Sequence, residues 1–105
     1  MHDTDHDVYQ ISDEIAPPET GKKSVVLGEG SQHKLIAFAF AKGEGLAEHV
    51  APLPVTISVI SGTAEFTICD ETFDGKPGTV IRLDPKISHS VLATSPLVIT
   101  VMFRK

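Results

Sequence analysis

Hydrophobic residues recur at every second position through two clear stretches of the chain. Ala64, Phe66 and Ile68 alternate with Thr63, Glu65 and Thr67, and Val55, Ile57 and Val59 alternate with Thr56 and Ser58. A period of two puts successive side chains on opposite faces, so each stretch reads as a strand with one buried face. Lys34 to Ala41 and Leu97 to Phe103 are apolar at nearly every position, as in strands covered on both faces. From Val25 onward glycines and prolines (Gly28, Gly30, Gly43, Gly45, Pro52, Pro54, Gly62, Gly75, Pro77, Gly78, Pro85, Pro96) leave gaps too short for ordinary helices. Seven or eight short strands separated by turns predict an all-β sandwich or barrel. The one helical hint is at residues 8–16. Residues 1–24 end in the breaker cluster Ala16-Pro17-Pro18-Glu19-Thr20-Gly21 and read as an N-terminal arm or tail, from which Val8 and Ile11 can pack on the body. The barrel domain is then residues 25–105.

His49 and His89 are the histidines flanked by strand-like sequence deep in that domain. Each follows a glycine turn and a short strand, Gly43 to His49 and Gly78 to His89. His49, Ala51, Val55, Ile57 and Val59 share one parity. If Ile57 and Val59 point inward His49 does too, unless Pro52 and Pro54 shift the register. With His89, Val91 and Ala93 on the matching parity, the two imidazoles are expected to face each other across an otherwise apolar barrel mouth.

This arrangement resembles the cupin superfamily, over nearly all of residues 34–103. The family's first motif has a glycine turn, a His-x-His pair, a glutamate four residues on and a glycine seven further. With His49 as the first histidine, Gly62 falls at that glycine. In the second motif Gly78 and His89 are in register, with Asp84 at the usual proline, Lys86 at the usual second glycine, and Ala93 at the usual asparagine. The resemblance implies a double-stranded β-helix of two antiparallel sheets. It also implies a metal held by three histidines and a glutamate, but the second histidine is here Ala51 and the glutamate Val55. Two of four ligands are thus replaced by side chains that coordinate nothing. A divalent Fe, Mn, Ni or Zn ion would rest on His49 and His89, with His33, Met102 or Glu48 as candidate third ligands. Small cupins are commonly homodimers through sheet edges and terminal arms, and the two-sided apolar strand Leu35 to Ala41 asks for cover of that kind.

Two functions from different classes follow. One is a barrel that binds a small molecule without catalysis, with His49 and His89 as polar anchors, Val55 and Ile57 as apolar wall, and Arg82 as the strand-borne cation for an anionic ligand. The other is a metal-dependent cupin enzyme, a dioxygenase, isomerase or lyase, with an incomplete ligand set. Serine-type catalysis has no support, because Ser88 and His89 are neighbours on a strand and point to opposite faces. Glu44, Glu48 and Asp84 read as solvated turn and strand-end carboxylates.

Composition narrows the partners. The first 20 residues hold six acids and no Lys or Arg; the remainder holds eight acids and nine bases. No clustered basic surface exists to neutralise phosphates or dock on anionic lipid, so nucleic acid and membrane are not expected partners. No apolar run approaches the length of a membrane span, and the acidic start is unlike a secretory leader. One cysteine, Cys69, excludes an intrachain disulfide and, placed beside Asp70 and Glu71 in a hairpin turn, is a poor nucleophile. A reduced, cytoplasmic protein is expected. His2 and His6 lie in an acidic tail read as solvated, where bound metal would be adventitious.

Overall fold

The computed structural model describes residues 6–105, and among them contains nine strands and one turn of helix. The strands are β1 (Lys22–Glu29), β2 (His33–Phe40), β3 (Gly45–His49), β4 (Val55–Ser61), β5 (Ala64–Ile68), β6 (Glu71–Gly75), β7 (Val80–Leu83), β8 (His89–Ala93) and β9 (Leu97–Arg104). They form two antiparallel sheets, β1-β2-β9-β4-β7 and β3-β8-β5-β6. Only β1–β2 and β5–β6 are hairpins within a sheet; every other connection carries the chain from one sheet to the other. The all-β reading and the double-stranded β-helix are therefore what the chain adopts.

The core lies between the sheets. On β4 the alternation places Val55, Ile57 and Val59 inside, with Thr56 and Ser58 half-buried on the other face. Phe40, Phe66, Leu97 and Ile99 are the largest fully buried side chains of that core. Burying each such side chain is worth about 1.5–3 kcal/mol, so this layer dominates the fold's stability.

The apolar runs on β2 and β9 have a specific cause. Phe38 and Phe40 pack inward, whereas Ala37 and Ala39 pack outward with Val98. That outer cluster is closed by Ile15, which is buried, and by Ile11 on the helical turn α1 (Ile11–Glu14). The cover that the apolar strand requires is thus supplied, at Ala37 and Ala39, by the chain's own N-terminal segment. Ile11 packs on the body as expected, but Val8 is 79% exposed. β1 begins at Lys22, three residues ahead of the start read from the sequence, because Lys22 to Ser24 pair with Phe40 to Phe38.

Gly62 has the expected positive φ, +82°, but not in a hairpin. It turns the chain from β4 in one sheet to β5 in the other, and there its backbone lies against the Pro96 carbonyl. Thr63 secures the same corner: its amide donates to Ser95 Oγ, and Thr94 Oγ1 donates to its hydroxyl.

Candidate functional site

The sheet order makes His49 and His89 neighbours. β3 and β8 are paired edge to edge, and His49 is the cross-strand partner of His89. The two rings have centroids 4.3 Å apart and planes inclined at 56°. They therefore stand side by side on one wall and do not face each other across the barrel, which corrects the expectation drawn from parity. Parity alone also misses how His49 gets there. Leu46 pairs with Val91 in one register and His49 with His89 in a register shifted by one, so a bulge lies between them. The extra residue turns both Leu46 and His49 toward the same cavity, although an odd spacing would otherwise part them.

The approach to His89 is built by a short loop. Lys86 adopts φ +67°, the left-handed conformation for which glycine is suited, at the position where the second motif usually has glycine. Its amide donates to the Ala51 carbonyl at 2.8 Å, joining the loop before β8 to the segment after β3. His89 is 6% exposed and is the one polar residue, among the described residues, in the buried class; His49 is exposed.

Both imidazoles are oriented in the same way. His49 Nδ1 lies 2.9 Å from the Ala47 carbonyl, and His89 Nδ1 lies 2.8 Å from the Ile87 carbonyl. A carbonyl only accepts, so each Nδ1 carries the hydrogen and donates it, an assignment made from the partner. In the neutral ring the lone pair is then on Nε2. Neither Nε2 has a hydrogen-bond partner among the described residues.

The two rings line a cavity of about 50 Å³. Leu46 and Val91 complete their wall, and Phe38, Val55, Ile57, Val101 and Phe103 form the opposing one. Val55 and Ile57 are thus brought to the histidines. Arg82 is not: it sits on the outer side of β7, exposed, with its guanidinium 2.7 Å from Asp84. That hydrogen bond and charge raise the Arg82 pKa further above its already high value. The proposed third ligands are elsewhere too. Glu48 is exposed on β3, while His33 and Met102 share a groove on the outside of the barrel with Tyr9 and Glu29. Ala51 and Val55, at the positions of the missing ligands, are both buried in the core. No group of three or more His, Cys, Asp or Glu among the described residues is placed to hold a metal ion. Most of the acidic tail, including His2, lies outside the described residues.

Cys69 occupies the first position of the two-residue β5–β6 turn, exposed and with φ +54°. A larger apolar recess, about 160 Å³, lies under the N-terminal segment beside Ile60 and Val98, on the far side of the sheet from the histidines.

Sequence reasoning missed Phe38, Leu46 and Phe103 as lining residues. Phe38 and Phe103 sat in runs apolar at nearly every position, where no alternation marks the inner face. Leu46 was hidden by the bulge. No helix among the described residues is long and apolar enough to cross a membrane.

No protein-family model and no curated protein matches this sequence. Solved structures do. A conserved protein from Streptococcus pyogenes superposes with a TM-score of 0.85 at 23% identity, over 99% of this chain and 92% of its own. A cupin superfamily protein from Desulfitobacterium hafniense gives 0.84 at 19%, over 90% and 86%. An RmlC-like cupin from Shewanella frigidimarina gives 0.80 at 17%, over 96% and 91%. At these identities the likeness speaks for the fold.

Proposed function

We propose that this small cupin domain is a non-catalytic binding barrel, holding a small molecule between the His49–His89 pair and the apolar wall of Val55 and Ile57. The observation that carries the reading is the pair of Nδ1–carbonyl bonds. They fix both rings, which line one apolar cavity, and leave each Nε2 without a hydrogen-bond partner among the described residues. Binding sites of this kind combine an apolar lining with a few placed polar groups. Second-neighbour hydrogen bonds are what hold such groups in one orientation.

The metal that cupins often carry does not fit the residues present. Ala51 and Val55 put methyl groups where two ligands would stand. Two imidazoles with no nearby carboxylate among the described residues supply half of the usual donor set and none of its negative charge. The enzyme reading draws support from one feature, since Nδ1–carbonyl bonds also orient metal-binding histidines. Elemental analysis of untagged protein purified without chelators distinguishes the two. Far less than one Fe, Mn, Ni or Zn per chain is expected. Stoichiometric metal that disappears in the His49→Ala/His89→Ala double variant would overturn the binding-barrel reading in favour of the enzyme.

A further inference from the structure

The head group that the imidazole pair selects can be read from its donors and acceptors. Resting on the binding-barrel reading, we infer that the site takes a small neutral molecule whose head offers two hydrogen-bond donors, a primary amide or similar NH2 group on a short apolar body. With each Nδ1–H committed to a backbone carbonyl, each neutral ring keeps its lone pair on Nε2, and the two ring centroids are 4.3 Å apart. One hydroxyl satisfies one of those lone pairs. An NH2 group carries two N–H bonds and can satisfy both.

A carboxylate is the poorer match. It would present lone pairs to lone pairs, and among the described residues no Lys or Arg lines the cavity to offset its charge. Arg82 stays on the outer face with Asp84. The remaining lining from β2, β4 and β9 is Phe, Val and Ile, which cannot replace the anion's lost hydration. Size limits the body. A water occupies roughly 10–15 Å³ on this measure, so a cavity of about 50 Å³ admits roughly three to five groups of that size.

Besides the two histidines, no titratable side chain of the described residues lines the cavity. On the elements around it, Glu48 on β3 is exposed, Arg82 on β7 and Asp84 just after it pair with each other outside, and Lys34 on β2, which shares the parity of Phe38 and pairs with Phe103, is half-buried but not among the residues that line the cavity.

The test is an imidazole-detected NMR titration of the labelled full chain with acetamide and with acetate. Acetamide is expected to bind saturably and to shift the Nε2 signals of both histidines. His49→Phe is expected to weaken it roughly tenfold. His49 is exposed, so this variant keeps the test alive even if His89→Phe fails to fold. Acetate binding that exceeds the amide's would overturn the inference. Xenon, a neutral apolar probe, separates the two levels. If xenon enters and the amide does not, the head-group inference fails while the binding barrel stands; if neither enters, both fail.

Discussion

Lys86 shows how far one backbone position can matter. A left-handed L-residue costs about 1–2 kcal/mol, and a glycine there gives back roughly 0.5–1 kcal/mol through its freer unfolded chain. Lys86→Gly is therefore expected to stabilise the fold by about 0.5–1 kcal/mol, read as a higher urea midpoint at unchanged slope. Gly62 is the opposite case. With φ +82° and a side-chain position 1.9 Å from the Pro96 carbonyl oxygen, Gly62→Val should cost more than about 3 kcal/mol in the same measurement. The histidines differ from each other in what they contribute to stability. Removing buried His89 loses packing and a hydrogen bond, about 1–3 kcal/mol for His89→Ala, whereas exposed His49→Ala should cost less than about 1 kcal/mol. Equal, large losses for both would mark the pair as structural, against the binding reading. Gly62's special conformation was legible from residue type and spacing, and spacing is also what singled out His49 and His89 as candidates. Lys86's left-handed backbone was visible only through its place in the motif, since its own residue type argues against it.

At the level of elements, the site is a property of one strand pair. β3 approaches β8 so closely at Gly45 that a methyl group there would meet the Val91 carbonyl oxygen at 1.9 Å and its carbon at 2.9 Å. Because those atoms are backbone, β3 must move off β8. Gly45→Ala is expected to destabilise the protein by about 2 kcal/mol or more and to separate the imidazoles, detectable as loss of ring-to-ring contacts in NMR spectra. Retained contacts would show that the bulge absorbs the shift. The strands themselves were readable wherever one face is wet, as on β4 and β5, since alternation survives there. On β2 and β9 it does not, because Ala37, Ala39 and Val98 have a second cluster to join on the outside. The side-by-side histidines were not readable at all: a bulge slips the register by one, and nothing in Ala47-Glu48 announces it.

Across the whole molecule, the N-terminal segment and the C-terminal end both brace the larger sheet. Ile15 seals Ala37, Ala39 and Val98 from outside, so Ile15→Ala should cost about 2 kcal/mol, at the low end for a buried isoleucine because the site is peripheral, with the shift read by thermal unfolding. At the other end Lys105 donates to Glu29 at 2.6 Å, tying the residue after β9 to the end of β1. That hydrogen bond first, then the charges of Lys105 and Lys34, lowers the Glu29 pKa from its ordinary value. A depressed carboxylate contributes stability above its unfolded pKa and loses it as pH falls through the folded one. Lys105→Ala is therefore expected to lower stability slightly near neutral pH and to converge with the parent protein in acid, in urea titrations across that range. A difference that grows toward acid would overturn the assignment.

The sequence by itself determined that this is an all-β chain and which residues turn its corners, and it singled out His49 and His89 as candidates. Those features follow from local causes: the period of two, glycine's tolerance of positive φ, and the strand-like sequence around each imidazole. Only the tertiary structure decided which strands are neighbours, and with that which side chains share the cavity. Pairing β3 with β8 put the two rings on one wall. The alternation of β7 turned Arg82 away from them, and Ala51 and Val55 closed with core packing the places where further ligands would stand. Each depends on contacts between residues far apart in the chain, where a shift of one residue exchanges the inside of a strand for its outside.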